Sequence, residues 1–238
     1  MKHRILILAA MEIERRLLLE KMRNPSTRLV APWLEAVDGE LDGVAITLVQ
    51  MGIGKVNAGV ATALLLVSQS YDLVVNTGVA GGLVDGLSVG DVVISDELIY
   101  HDVDARTFGY ALGQVPGMSS SFVSKDSRQL EALLSESGVR DFSLQRGIIL
   151  SGDQFIAQEA DVVKLLHHFP DALAVEMEGA AVAHVASLCS TPFIVIRALS
   201  DKANGQAQMS YEEFLELASR RSAQIVRELL NGTKEKNL

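Results

Sequence analysis

The sequence predicts an α/β fold: one domain built on a mostly parallel sheet with helices on both faces. Three observations predict it. Short apolar runs alternate with longer amphipathic ones along the 238-residue chain. Most of the short runs are apolar at every position, as in strands buried on both faces, rather than at every second one. No linker, repeat or low-complexity segment interrupts the pattern. Residues 1–232 therefore read as a single domain and 233–238 as a frayed tail.

The elements follow in order. "RILILAA" reads as a buried first strand and "EIERRLLLEKM" as the helix after it. "WLEAVDGELDGVAITLVQ" reads as a hairpin, because Asp42-Gly43 supplies the positive-φ pair that a tight turn needs. "VNAGVATALLLVSQ" is helical and rich in small residues, and "DLVVNTG" is a strand ending in a Gly-rich turn. "GDVVISDELIYHD" is a strand that opens into a long loop reaching about Phe122. "DSRQLEALLSESG" reads as a capped helix, "RGIILSGD" as a strand, and "QEADVVKLLHHFP" as a helix stopped by Pro170. Strand "LAVEME", helix "GAAVAHVASLC", strand "PFIVIRALSD" and an amphipathic helix from Ser210 to about Leu230 complete the chain.

Composition narrows the function. The net charge is −9 and Lys and Arg form no block, so the basic stripe that nucleic acid requires is missing. No run approaches the ~18 apolar residues of a membrane helix. The apolar N-terminal run meets Glu12, Glu14, Arg15 and Arg16 at once, a poor signal peptide, and a cytoplasmic protein is expected. The single cysteine, Cys189, lies in an apolar run and reads as a small core residue.

In doubly wound sheets the ligand site lies at the carboxyl ends of the strands. Here those ends are "AAMEIE", "QMGIGK", "NTGVAGG", "LSGDQF", "VEMEG" and "ALSDKA". The chain's unpaired-looking acids collect there, which suggests a cleft. In "VEMEG", Glu176 is expected to point away from the side that Glu178 faces. Glu176 then needs a buried cation, and Arg197 on a nearby strand is the candidate.

Together with "MGIGKVNA", "VGDVVISDE", "YHDVDARTFGYALGQVPG" and "VEMEGAAVAHV", these segments run nearly end to end and in order. The chain resembles the 5′-methylthioadenosine/S-adenosylhomocysteine nucleosidase family, within the purine nucleoside phosphorylase superfamily. The resemblance implies a twisted, partly barrel-like sheet and a homodimer, with a nucleoside substrate, no cofactor and no metal. It implies hydrolysis of the N-glycosidic bond of methylthioadenosine or S-adenosylhomocysteine, with 5′-deoxyadenosine and 6-amino-6-deoxyfutalosine as further possible substrates.

Residue by residue, the resemblance makes Asp201 the acid that protonates adenine N7. It makes Glu14 the base that activates water, and Glu178 the acceptor for the ribose hydroxyls, with Met177 beside the sugar. Phe155 stacks on adenine and the backbone of Ile156 reads its edge. Val79, Ala80 and Gly81 form the Gly-rich turn against the substrate. Met11, Ile53, Phe108 and Tyr211 make the wall for the 5′ group, completed by Tyr110 and Pro116 of the partner subunit. The structural alternatives are a capping Asp201, a surface Glu14 and a core Phe155.

The chain departs from the family's pattern in three places. Ile13 interrupts the acidic "MEEE" run but spares Glu14. Val79 stands where Ser or Thr is common; it lacks the hydroxyl that helps hold the acid, which predicts an Asp201 that is either held less tightly or raised in pKa. Ala105 and Thr107 beside Phe108 change the lining of the 5′ end. A phosphorylase is the nearest alternative, but phosphate would be repelled by Glu12 and Glu14, while Arg15 and Arg16 read as helix surface. A non-catalytic nucleoside-binding protein would be expected to lose one of the paired acids. "GIGK" lacks the rest of a P-loop, and His101, Asp102 and Asp104 read as solvated or structural.

Overall fold

The computed structural model describes residues 4–124, 140–203 and 207–236. Its strands are β1 (Arg4–Ala9), β2 (Arg23–Ala31), β3 (Leu34–Leu41), β4 (Val44–Gln50), β5 (Leu73–Gly82) and β6 (Val92–Tyr100). They continue with β7 (Phe122–Val123), β8 (Leu144–Ser151), β9 (Ala172–Glu176) and β10 (Phe193–Asp201). The described helices are α1 (Glu12–Leu19), α2 (Lys55–Ser68), α3 (Glu159–His168), α4 (Gly179–Leu188) and α5 (Ala207–Lys236). The helix expected over Asp126–Gly138 lies outside the described residues.

The sheet runs β10-β6-β8-β9-β5-β1-β4-β3-β2, and β10 also pairs with β5. That extra pairing closes β10, β6, β8, β9 and β5 into a barrel-like ring, from which β1 to β4 extend as an open wing. β5 makes closure possible by its length. Its first half carries β1 in parallel on one edge, its last two residues carry β9 antiparallel, and β10 runs along the other edge. The expected strand "DLVVNTG" therefore continues through the Gly-rich segment to Gly82.

Both faces of the strands are buried, as their continuous apolarity predicts. Leu6 and Leu8 of β1 join a core with Ala58 and Ala61 of α2 and the alanines of α4. Ile5 and Ile7 point to the other side, into a core with Leu18 of α1 and Ile225, Val226 and Leu229 of α5. The Asp42-Gly43 turn has the expected positive φ at both residues, 50° and 81°.

Four expectations need correction. Residues 23–31 form an edge strand the sequence does not announce: they include Pro25 and are mostly exposed, so no apolar alternation marks them. Cys189 is exposed, because it caps α4 at the end of its turn instead of facing the core. The last helix does not stop near Leu230, and residues 233–236 of the expected frayed tail are helical. Helix α5 runs to Lys236, with Thr233 buried and its hydroxyl donating to the Leu230 carbonyl at 2.9 Å. Glu178 lies outside β9, at the N-cap of α4. Among the described residues no helix is long and apolar enough to cross a membrane.

Candidate active site

A cavity of about 420 Å³ opens at the carboxyl ends of β1, β5, β9 and β10. It is lined by Met11, Glu14, Ile53, Val79, Ala80, Gly81, Phe155, Met177, Glu178, Asp201 and Tyr211, all expected from the sequence. The sequence reading missed Glu176, Ser200 and Glu212 as lining residues.

Glu14 sits in the first turn of α1 and is only 4% exposed. Its Oε2 accepts the N–H groups of Ala10 (3.0 Å) and Met11 (2.9 Å), and its Oε1 accepts that of Val79 (3.2 Å). β5 can approach this carboxylate because position 78 is glycine: a Cβ there would fall 2.6 Å from Oε1. Burial pushes the Glu14 carboxyl up, and Arg197 and the three N–H donors pull against it.

Asp201 ends β10 and is 1% exposed. Its Oδ1 accepts the Ala203 N–H at 2.7 Å and its Oδ2 the Ser200 hydroxyl at 2.9 Å. Val79 offers it no hydroxyl, and the side-chain donor it has is that of Ser200. Burial raises the Asp201 carboxyl, and only these two bonds oppose it. Burial raises both acids, but their partners differ. Glu14 has three backbone donors and a cation favouring its charge; Asp201 has one backbone donor and one hydroxyl.

Glu178 accepts the Gly54 N–H at 2.8 Å and is 6% exposed. Its neighbour explains how the segment tolerates a second carboxylate. Glu176 is paired with buried Arg197 at 2.6 Å, as expected, and accepts the N–H groups of Glu178 (3.0 Å) and Gly179 (2.8 Å) that open α4. It also takes the Ser151 hydroxyl. Arg197 is anchored in turn by Asn76 Oδ1 at 2.6 Å and by the Ile196 carbonyl at 3.1 Å. The Arg197–Glu178 separation is 4.0 Å. Burial and then the Glu176 charge push the Glu178 carboxyl up, while Arg197 lowers it.

Opposite these acids stands an apolar wall. Phe155 meets Tyr211 edge to face at 5.6 Å, and the Tyr211 hydroxyl donates to Met11 Sδ at 3.2 Å. Ile156 turns its side chain into a separate core cluster and is not among the residues that line the cavity. Phe108 is not in the wall of its own chain: it rides a 3-10 turn ending at left-handed Gly109 and is 81% exposed. Tyr110 and Pro116 do not line this chain's cavity either. Asp102 binds Lys55 at 2.6 Å, and Asp104 binds Arg106 at 2.7 Å.

The charged residues lining the cavity are all acidic: Glu14, Glu176, Glu178, Asp201 and Glu212, with no Lys or Arg among the described lining residues. Arg15 and Arg16 do not reach it; Arg16 faces Glu20 on the helix surface at 4.0 Å.

Comparison with known proteins places the chain in a family. The chain matches the phosphorylase superfamily over residues 4–231. It is 43% identical over 227 residues to the 5′-methylthioadenosine/S-adenosylhomocysteine nucleosidase of Anoxybacillus flavithermus, covering 95% of this chain and 97% of that one. The nucleosidase structure from Neisseria meningitidis in complex with methylthio-immucillin-A superposes with a TM-score of 0.91 at 41% identity, covering 95% and 98% of the two chains. That from Colwellia psychrerythraea with adenine gives 0.92 at 40% identity, covering 98% and 96%.

Proposed function

The chain belongs to the phosphorylase superfamily and, within it, to the 5′-methylthioadenosine/S-adenosylhomocysteine nucleosidases, and from that premise we propose that it hydrolyses the N-glycosidic bond of these nucleosides. Adenine and the 5′-substituted ribose are the products. Asp201 gives its proton to purine N7, and the bond from the anomeric carbon to the base breaks with its electron pair going to the purine. Glu14 takes a proton from water as the water oxygen bonds to the anomeric carbon. Glu178 accepts from the ribose hydroxyls, an interaction that strengthens as positive charge develops on the sugar. Phe155 stacks on the base, the backbone of Ile156 reads its edge, and Met11, Ile53 and Tyr211 meet the 5′ group.

The observation that carries this reading is the charge of the cavity. A phosphorylase must hold a phosphate dianion beside the anomeric carbon, and an all-acidic lining disfavours one. The same lining favours an electron-poor sugar. Incubation with 5′-methylthioadenosine should therefore yield adenine and free methylthioribose, with phosphate or without it. Methylthioribose 1-phosphate, formed only when phosphate is present, would overturn hydrolysis; adenine in neither buffer would point to a binding protein.

The enzyme acts as a homodimer in this reading, with Tyr110 and Pro116 of the partner subunit closing the 5′ end of the site. Support comes from a stripe on α2, where Val56, Val60, Leu64 and Val67 are all exposed at helical spacing, next to exposed Leu188 on α4. Sedimentation should show a dimer at micromolar concentration; a monomer there would remove this part of the proposal.

A further inference from the structure

Beyond the 5′ wall lies a second opening. A groove of about 440 Å³ is lined by Arg15, Leu29, Trp33, Glu35, Met51 and Asn57, among others. It shares no lining residue with the nucleoside cavity, but residues close along the chain line the two. Arg15 stands one helical turn after Met11, ~6 Å along the same face of α1. Gly52 lines the groove and Ile53 the cavity, so consecutive residues separate the two.

The charges of the groove are unusual for this protein. The Nε of Arg15 is buried and has no acceptor. Glu35 shares the groove, yet no ion pair joins it to Arg15 among the described residues, whereas other arginines, such as Arg28 and Arg227, are paired with carboxylates. A buried guanidinium N–H without an acceptor is costly, and a planar carboxylate is the partner that satisfies it best. One cation and one anion, held apart in one groove, match a ligand that carries both charges on neighbouring atoms. Leu29 and Trp33, both largely exposed, give that ligand apolar cover at the rim.

We propose that this groove seats the distal end of a 5′ substituent that terminates in an α-amino acid. Arg15 holds the carboxylate, Glu35 faces the ammonium, and Met11, Ile53 and Met51 flank the thioether chain that leads there. The inference rests on the nucleosidase reading and makes Arg15 a specificity-determining residue. A methylthio group is too short to enter the groove, so Arg15 distinguishes S-adenosylhomocysteine from methylthioadenosine without touching the reacting atoms.

The test compares the two nucleosides in the intact protein. Arg15→Met should lower kcat/KM for S-adenosylhomocysteine about tenfold, chiefly through KM, and leave methylthioadenosine unchanged. Glu35→Gln should cost only about twofold, because Glu35 is solvated. An aminopropylthio analogue, which lacks the carboxylate, should be indifferent to Arg15→Met. Equal losses on both nucleosides, or no loss on either, would overturn the groove assignment. Calorimetric affinity for S-adenosylhomocysteine separates this outcome from failure of the hydrolase reading. A wild-type protein that turns over neither nucleoside refutes hydrolysis, while a tenfold weaker affinity in Arg15→Met still supports the groove and an unchanged affinity refutes it.

Discussion

Asp201→Asn is expected to lower kcat by roughly 10²–10⁴-fold, the range for losing a positioned general acid, with a much smaller change in KM. The amide keeps the shape of the carboxyl and can still meet the Ala203 N–H and the Ser200 hydroxyl, so the site should remain folded. What it lacks is the transferable proton. The pH profile supplies a sharper check. In the proposed mechanism Asp201 acts protonated, and burial raises its pKa, so the wild-type rate should fall as pH rises through that value. Glu14 acts ionised, so the rate should also fall as pH drops through its own raised pKa. Asp201→Asn should abolish the alkaline limb and keep the acid one. A variant within tenfold of wild type, or one that keeps its alkaline limb, would remove Asp201 from the role of acid.

The second large effect is on stability. Arg197→Met should cost about 3–5 kcal/mol, because it leaves Glu176 buried with no countercharge. In a chain of this size that corresponds to a fall in Tm of about 10 °C. The effect should reach the sugar site as well. Arg197 lowers the Glu178 pKa, and Glu176 positions the Glu178 N–H at the start of α4, so KM should rise in whatever fraction remains folded. Arg197→Met combined with Glu176→Gln should recover part of the stability, since neither charge is then stranded. Denaturant titration decides it: a single variant within 1 kcal/mol of wild type would mean that water replaces the guanidinium, and that the pair is not structural.

Much of this was legible in the sequence, for identifiable reasons. The central strands were legible because both their faces are buried, which leaves uninterrupted apolar runs such as "ILILA" and "FIVI". The Glu176–Arg197 pair was legible because a carboxylate in an apolar strand needs a buried countercharge, and Arg197 is the cation inside the apolar run "PFIVIRALS"; the divergence of Glu176 and Glu178 was not, because it comes from the chain leaving β9 to start α4 and not from strand alternation. β2 was not, because an exposed edge strand with a proline has no apolar code to read. The position of Phe108 depends on a left-handed glycine that redirects a loop, and Cys189 on where a helix happens to end. Neither is a matter of local composition. Arg15 read as helix surface because the groove it shares with Trp33 and Met51 is assembled from residues distant along the chain. Ring closure by β10 is likewise a long-range pairing that no local pattern encodes.

That closure governs the order in which the enzyme can come into being. β10 is the last strand of the chain, yet it pairs with β5 and β6, both made much earlier. Until it inserts, a growing chain already carries Glu14 and Glu178 but exposes the unpaired edges of two central strands. Pairing of this kind joins segments more than a hundred residues apart and is slow and aggregation-exposed by nature. The same late event delivers Asp201. With Asp201 as the proposed acid, chains that end before β10 cannot break the nucleoside bond, and catalytic competence arrives in one step with the completed ring.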